Sequence, residues 1–410
     1  MEKIRYLETD ISQLCFSSHK MAFVSGPRQC GKTTMAKHLL ATRGQGQYYN
    51  WDEVKFRRLW TKDPSQIVSG FIVTDKVAPL IILDEIHKAK LWKRNLKGVY
   101  DTLDIACDIL VTGSSRLNVY RKGSDSLQGR YYRFRLHPFS LAELLLFKAH
   151  SPENLLSSLL MNATYPRAEA VEYLQLLDQF GPFPEPLLAT NQQTLNLWRR
   201  ARIEKTVRED LRDLSRIPEL SMIEMLIALL PERAANVLSI QSLSEDLEVA
   251  YTTVKRWLRY LYELYYAFKI QPYFKSLARS LKKESKLYLW DWSEIDDEAR
   301  RFENLIAGHL LKYCHYLTDT GAGDFHLCYL RNREKKEIDF LIVKNKKPWL
   351  PIEVKLNETA IAGNWSAFMP QLSCVCGIQV VKQNDIYKIT ETSFGKIVVI
   401  SAAQLLSYLV

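Results

Sequence analysis

Over the first 150 residues, short apolar runs bounded by turn residues alternate with amphipathic stretches, the pattern that βα units produce. Met21–Ser25, Leu80–Leu83 and Asp108–Thr112 read as buried strands, and Lys32–Thr42 as the helix after the first of them. Tyr132–Leu136 alternates Tyr, Arg, Phe, Arg and Leu, as a further strand does. Strands alternating with helices imply an α/β fold with a parallel, doubly wound sheet. From Ser140 helical periodicity takes over. Leu141–Phe147 begins a helix, Gly181-Pro182-Phe183-Pro184-Glu185-Pro186 marks a junction, and Leu195–Leu214 reads as a long basic helix ending before Pro218. Three short helical patterns follow from about 222, then the strand-like YYAFKIQPYF, and beyond about 280 mixed strands and helices run to the C-terminus. The expected division is a core over 1–150, a helical lid and connector over 151–221, a helix-turn-helix region with a strand pair over 222–278, and an α/β domain over 279–410.

Chemistry enters at the end of the first strand. Gly26-Pro27-Arg28-Gln29-Cys30-Gly31-Lys32-Thr33, followed by Thr34, fits G-x-x-x-x-G-K-[ST] between the strand MAFVS and the helix KTTMAKHLL. Gly26 and Gly31 let backbone N–H groups curl around phosphates at the positive end of the helix. Lys32 reaches the β- and γ-phosphates, and Thr33 offers its hydroxyl to Mg²⁺. About fifty residues on, the apolar run Leu80–Leu83 ends in Asp84 and Glu85. Asp84 is expected to hold the metal through water, and Glu85 to orient or deprotonate the attacking water. Ser114 or Ser115, ending the strand DILVTGSS, is expected beside the γ-phosphate if that strand lies between the other two; a plain Gly-Ser turn is the alternative. Arg130 is a candidate sensor of phosphate charge, within the molecule or in a neighbour.

Residues 1 to about 220 resemble the AAA+ class of P-loop ATPases. The runs LIILDEIHKAKLWKRNLKGVYD, VTGSS and LQGRYYRFRLHPFSLAELL, with GPFPEP, VREDLRDL and FENLIAGHLL, are similar to one group within it, the AAA_14/DUF4143 type. The resemblance covers nearly the whole chain. It implies an AAA+ core with a helical lid, and often homo-oligomers; it does not supply a defined substrate.

In the helix-turn-helix region, Leu243 and Leu247 are spaced for one helix, and Glu248-Val249-Ala250 make a turn. Thr252, Thr253, Lys255, Arg256 and Arg259 lie on a second helix whose Val254, Trp257, Leu258 and Leu261 face inward. Such a helix meets DNA phosphates in a winged-helix domain, and the same shape also serves as an interdomain spacer. Further on, Glu337–Val343 and Pro351–Lys355 read as strands joined by a turn at Asn345-Lys346-Lys347. Alternation puts Glu353 and Lys355 on one face, where Asp339 meets them. This spacing resembles the PD-(D/E)xK nucleases of the restriction-endonuclease fold. It implies a Mg²⁺ or Mn²⁺ site built on Asp339 and Glu353, with Lys355 beside it and Glu303 as a further ligand. An edge strand with alternating Glu and Lys for solubility is the alternative. Tyr329-Leu330-Arg331-Asn332-Arg333 and Lys335-Lys336 lie upstream, as a nucleic-acid backbone would require.

Hydrophobic residues make up 47% and charged residues 25% of the 410, enough for several cores. The formal charge of +10 suits a polyanionic partner or a solvated basic face. Seven cysteines without paired spacing read as reduced thiols; Cys374 and Cys376 lack the companions of a zinc site. A charged N-terminus and the lack of a long apolar run point to a cytoplasmic protein without membrane partners. The functional expectation is a DNA-associated ATPase whose nuclease-like tail cleaves or holds nucleic acid in a metal-dependent way; the alternative is a regulatory switch whose tail binds proteins without cutting.

Overall fold

Residues that must be buried on both faces of a parallel sheet form near-continuous apolar runs, and Met21–Ser25, Leu80–Asp84 and Asp108–Gly113 are buried at every position. The computed structural model describes residues 4–69, 71, 78–103, 106–113, 127–161, 168–205, 220–274 and 284–410. It divides into two units, Met1–Pro138 and Phe139–Val410.

In the first unit, five parallel strands run in the order β2-β3-β4-β1-β5. They are β1 (Met21–Ser25), β2 (Gly46–Asn50), β3 (Leu80–Asp84), β4 (Asp108–Gly113) and β5 (Tyr131–Arg135). Helix α1 (Glu8–Leu14) precedes β1, and α2 (Lys32–Arg43) follows it. One face packs Met21, Phe23, Ile81, Leu83, Ile109 and Val111 against Phe56 and Trp60 of α3 (Val54–Lys62) and Leu96 and Val99 of α4 (Trp92–Asp101). β2, sequence GQYYN, carries no apolar run and is only half-buried, as an edge strand is.

The second unit holds an eight-stranded mixed sheet, ordered β12-β13-β11-β10-β9-β8-β6-β7. Its strands are β6 (Ala267–Pro272), β7 (Lys286–Leu289), β8 (Phe325–Arg331), β9 (Glu337–Lys344), β10 (Lys347–Lys355), β11 (Cys376–Val381), β12 (Tyr387–Thr392) and β13 (Gly395–Ser401). β9 and β10 form the expected hairpin, and its turn is shorter than expected. Asn345 and Lys346 both have positive φ, 50° and 66°, and Lys347 already opens β10, the form that suits the twist of a two-residue hairpin. The strand pair expected to serve as a wing lies in this same sheet, because Gln271 and Pro272 of β6 pair in parallel with Cys328 and Tyr329 of β8. Residues 222–278 and 279–410 are thus joined by a ladder. The helix Glu298–Asp319, capped by Asp297, packs on β8 and β10. None of the seven cysteines is joined in a disulfide. Among the described residues, no helix is long and apolar enough to cross a membrane.

Candidate nucleotide site and carboxylate cluster

The loop Gly26–Gly31 leaves the C-terminal end of β1 and enters α2 directly. Gly26 is dictated by space: a Cβ there would lie 2.2 Å from the carbonyl oxygen of Leu136. Gln29 and Gly31 take left-handed conformations, φ 60° and 96°, which turn the chain into the helix. No side chain caps α2 at Gly31, so its first N–H groups and dipole remain for an anion. The Lys32 ammonium folds back across the loop, donating to the carbonyls of Gly26 at 2.9 Å and Pro27 at 2.5 Å. Behind the loop, buried Arg5 donates to the carbonyls of Cys30 and His137. Cys30 is buried, whereas Gln29, Thr33 and Thr34 are exposed and Arg28 is half-exposed.

Asp84 ends β3 beside this loop, 3% exposed. Its Oδ2 accepts from Thr33 Oγ1 at 2.7 Å and from the Tyr48 hydroxyl at 2.8 Å, and its Oδ1 accepts from Thr112 Oγ1 at 2.6 Å. Burial and the Asp84 charge push the Tyr48 hydroxyl well above its ordinary pKa, so it stays a donor. The Thr33–Asp84 bond joins the two halves of the motif. Glu85 sits just past the strand with φ 58°; its Oε2 lies 3.6 Å from His87 Nε2 and 3.5 Å from Lys88 Nζ. Nothing in the sequence pattern marked Tyr48, Thr112 or Arg5. β4 does lie between β3 and β1, as expected of that strand, and Thr112 from it reaches the acid; Ser114 and Ser115 lie outside the described residues. The parts fit a triphosphate with Mg²⁺: a cradle that tolerates no Cβ, an ammonium, a hydroxyl and a strand-end carboxylate.

Arg130 lies elsewhere. It precedes β5, at the level of Met21, whose N–H donates to the Arg130 carbonyl. Parallel strands place that end of β1 opposite the P-loop. There Arg130 forms a two-pronged ion pair with Asp101, at 2.6 and 2.9 Å. Within this molecule that pair ties α4 to the start of β5, away from the loop.

In the second unit, the face of β9 and β10 brings Asp339, Glu353 and Lys355 together as expected. The antiparallel register aligns Ile352 with Phe340, so Glu353 stands opposite Asp339. Asp339 Oδ2 accepts from the Val354 N–H at 2.8 Å, and Lys355 Nζ lies 3.0 Å from Glu353 Oε1. Glu353 is 2% exposed and its Oε2 has no hydrogen-bond partner. Burial, with Asp339 adding to it, pushes the Glu353 carboxyl up to about 8. Glu303, from the helix Glu298–Asp319, joins them; burial raises its carboxyl to about 7. It accepts from the Tyr288 hydroxyl at 2.8 Å and from Lys286 Nζ at 3.1 Å. Lys286 was not singled out by the sequence, yet its ammonium also meets Glu337 at 2.5 Å and Asp339 at 3.5 Å. Among the described residues, no three His, Cys, Asp or Glu side chains are arranged to hold a metal ion. Of the basic stretch upstream, Tyr329 is buried and its hydroxyl donates to the Glu284 carbonyl, while Arg331 turns to Glu337. Tyr329 is therefore not part of an open track, while Arg331 remains exposed.

The helix Tyr251–Glu263 buries Val254, Trp257, Leu258 and Leu261 and exposes Thr252, Lys255, Arg256 and Arg259. The helix Ile240–Asp246 precedes it, with Ser239 capping through the Ser242 N–H.

A family profile described as an AAA domain matches residues 18–145. The N-terminal unit is an AAA domain. Profiles for two domains of unknown function, DUF8612 and DUF4143, match residues 166–293 and 300–405. The AAA and DUF4143 matches agree with the resemblance drawn from the sequence. Two uncharacterized proteins of Methanocaldococcus jannaschii, MJ1544 and MJ1637, are 23% and 26% identical, each over 87% of this chain and over 80% and 78% of their own lengths. An uncharacterized protein of Haemophilus influenzae is 20% identical over 78% of this chain and 79% of its own. Solved structures similar to it include a Walker-type ATPase of Pyrococcus abyssi (13% identity, 69% and 92% coverage, TM-score 0.40). Another is the Aeropyrum pernix ORC1 protein in complex with DNA (13%, 75% and 94%, 0.32). At such scores they carry no inference about what the AAA domain here acts on.

Proposed function

We propose that the AAA domain binds ATP with Mg²⁺ and hydrolyses it, and that the chain uses the turnover in association with DNA. The observation that carries this reading is the bond from Thr33 to Asp84, which joins the phosphate loop to the strand-end acid. Gly26, Pro27, Arg28, Gln29, Cys30, Gly31 and Thr34 form and flank the cradle, Lys32 neutralises phosphate charge, and Thr33 and Asp84 hold the metal, Asp84 through water. Bound Mg²⁺ supplies charge stabilisation on the β- and γ-phosphates. Glu85 accepts the proton of the attacking water as general base. The basic face of the helix Tyr251–Glu263 supports DNA contact in a winged-helix manner, and the Asp339, Glu353, Lys355 and Glu303 cluster supports a PD-(D/E)xK-type tail that cleaves or holds nucleic acid. The reading is tested by titrating Mg²⁺·ATP into the wild type and Lys32→Ala and measuring phosphate release. Binding and turnover in the wild type, both weakened in the variant, are expected. No affinity for adenine nucleotide in the wild type at millimolar concentration refutes it.

A second reading, a regulatory ATPase whose tail binds protein partners without cutting, is favoured by one feature: Lys286 stands among the tail's carboxylates. Salt separates the two, because phosphate contacts weaken steeply as salt rises. Tail-dependent binding of DNA that is insensitive to salt, or absent, favours the second.

A further inference from the structure

Lys286 opens β7 and is 3% exposed. Three carboxylates from two separate elements, Glu303 on the helix and Glu337 and Asp339 on β9, converge on its ammonium at 3.1, 2.5 and 3.5 Å. We propose that Lys286 is the resident cation of this cluster, occupying the position a divalent ion would take between Glu303 and Asp339 and so closing the tail to metal. The inference rests on the cluster being a nuclease-type carboxylate site, and it decides between cutting and holding in favour of holding.

Competition for the same atoms is the first argument. Lys286 meets Oε1 of Glu303 and Oδ1 of Asp339, while the second oxygen of Asp339 is taken by the Val354 N–H. A metal bridging these acids needs the oxygens the ammonium already holds. The second argument is that the lysine cannot readily leave. Its backbone is fixed on both sides, by Ile270 of β6 and by the bridge to Val237. Withdrawing the ammonium from its carboxylates while the stem stays buried leaves uncompensated charge. Finally, one carboxylate oxygen of the cluster is left unmet. Glu353 presents a buried oxygen without a hydrogen-bond partner beside Asp339, an atom that a cation would satisfy and that Lys286 does not reach.

The test is Mn²⁺ uptake, read from the loss of the free-ion paramagnetic resonance signal, in nucleotide-free full-length wild type, Lys286→Met, Glu353→Gln, and the double variant of the two. The expected result is no tail uptake in the wild type, a single Mn²⁺ gained per chain in Lys286→Met, and its loss in the double variant. Uptake in the wild type that disappears in Glu353→Gln overturns the inference and leaves a metal-dependent tail standing. A folded Lys286→Met that gains nothing overturns both the inference and the nuclease-type reading of the cluster. Should Lys286→Met not fold, the wild-type melting temperature decides. An unchanged value with Mn²⁺ against chelator supports the inference, and a rise that Glu353→Gln removes overturns it. Nucleotide binding at Lys32 is scored separately, so the fate of the ATPase reading does not enter.

Discussion

Replacing Glu85 by Gln should stop hydrolysis while leaving the AAA domain folded and able to bind nucleotide. Glu85 makes only long contacts, 3.6 Å to His87 and 3.5 Å to Lys88, and Lys88 keeps a closer partner in Asp52 at 2.8 Å. Neither is a close ion pair, so the loss in stability is small. Asp84 keeps all three hydroxyl donors, from Thr33, Tyr48 and Thr112, so the metal and the phosphates lose no ligand. What disappears is an acceptor for the proton of water. A positioned general base contributes roughly 10²–10⁴ in rate, or about 3–5 kcal/mol of barrier. Phosphate release under saturating Mg²⁺·ATP measures the rate, and calorimetric titration with ATP measures binding. Equal turnover in Glu85→Gln and wild type refutes the base assignment. A turnover that falls only in step with binding refutes it as well, since that pattern belongs to a residue that holds nucleotide.

Gly26→Ala should abolish nucleotide binding with little change in circular dichroism, because its Cβ would lie 2.2 Å from a backbone oxygen that cannot move aside as a side chain can; unchanged affinity for ATP would show that the loop does not close as described. If the helix Tyr251–Glu263 meets phosphates, Arg256→Ala should weaken DNA binding evenly across sequences and reduce the slope of log affinity on log salt by about 0.9, and an unaltered slope in filter binding removes that residue from the interface. His309 supplies a pH dependence. The Leu141 N–H donates to its Nε2 at 3.1 Å and its Nδ1 faces the Leu305 carbonyl at 2.8 Å, which requires the neutral ring. Burial lowers its pKa from 6.5 to about 4. The folded value lies below the unfolded one, so stability is complete above the unfolded value and falls as pH drops towards the folded one. It amounts to about 2 kcal/mol lost between about pH 7 and about pH 5. Urea midpoints should show that loss in the wild type and a smaller one in His309→Gln; equal losses would place the acid sensitivity elsewhere.

What the chain disclosed in advance divides by the range of the interactions concerned. The P-loop was legible because it is contiguous: two glycines, a lysine and a threonine within eight positions between a strand and a helix. Asp84 and Glu85 were legible because an apolar run ends on them. Tyr48 and Thr112 were hidden because they reach Asp84 only through the pairing of β2 and β4 with β3, and β2, a half-buried edge strand, lacks the apolar pattern that would announce it. The place of Arg130 was hidden for the opposite reason. Its local setting, after Gly129 and before a strand, looked suitable, but strand direction puts it at the far end of the sheet. The further pairing of β6 was hidden likewise, because its neighbour β8 lies more than fifty residues further on. Lys286, in the run KKESKLYLW, looks like one more solvated lysine until β6 and the helix Glu298–Asp319 enclose it.

The two acidic sites differ in what satisfies them, and the proposed uptake of a metal at one and its exclusion at the other follow from that difference. Around Asp84 the partners are hydroxyls of Thr33, Tyr48 and Thr112. Each is worth about 1.5–3 kcal/mol against a charged acceptor. Thr33 can change from hydrogen-bond donor to metal ligand without leaving its place, so an arriving cation inherits a formed site. Around Glu303, Glu337 and Asp339 the partner is a fixed ammonium. Displacing it breaks a buried ion pair, which costs on the order of 3–5 kcal/mol, and leaves two cations competing for oxygens that suit one. A carboxylate near the end of a strand is common to both. In the first the counter-groups are neutral hydroxyls; in the second the counter-group is charged and covalently tethered.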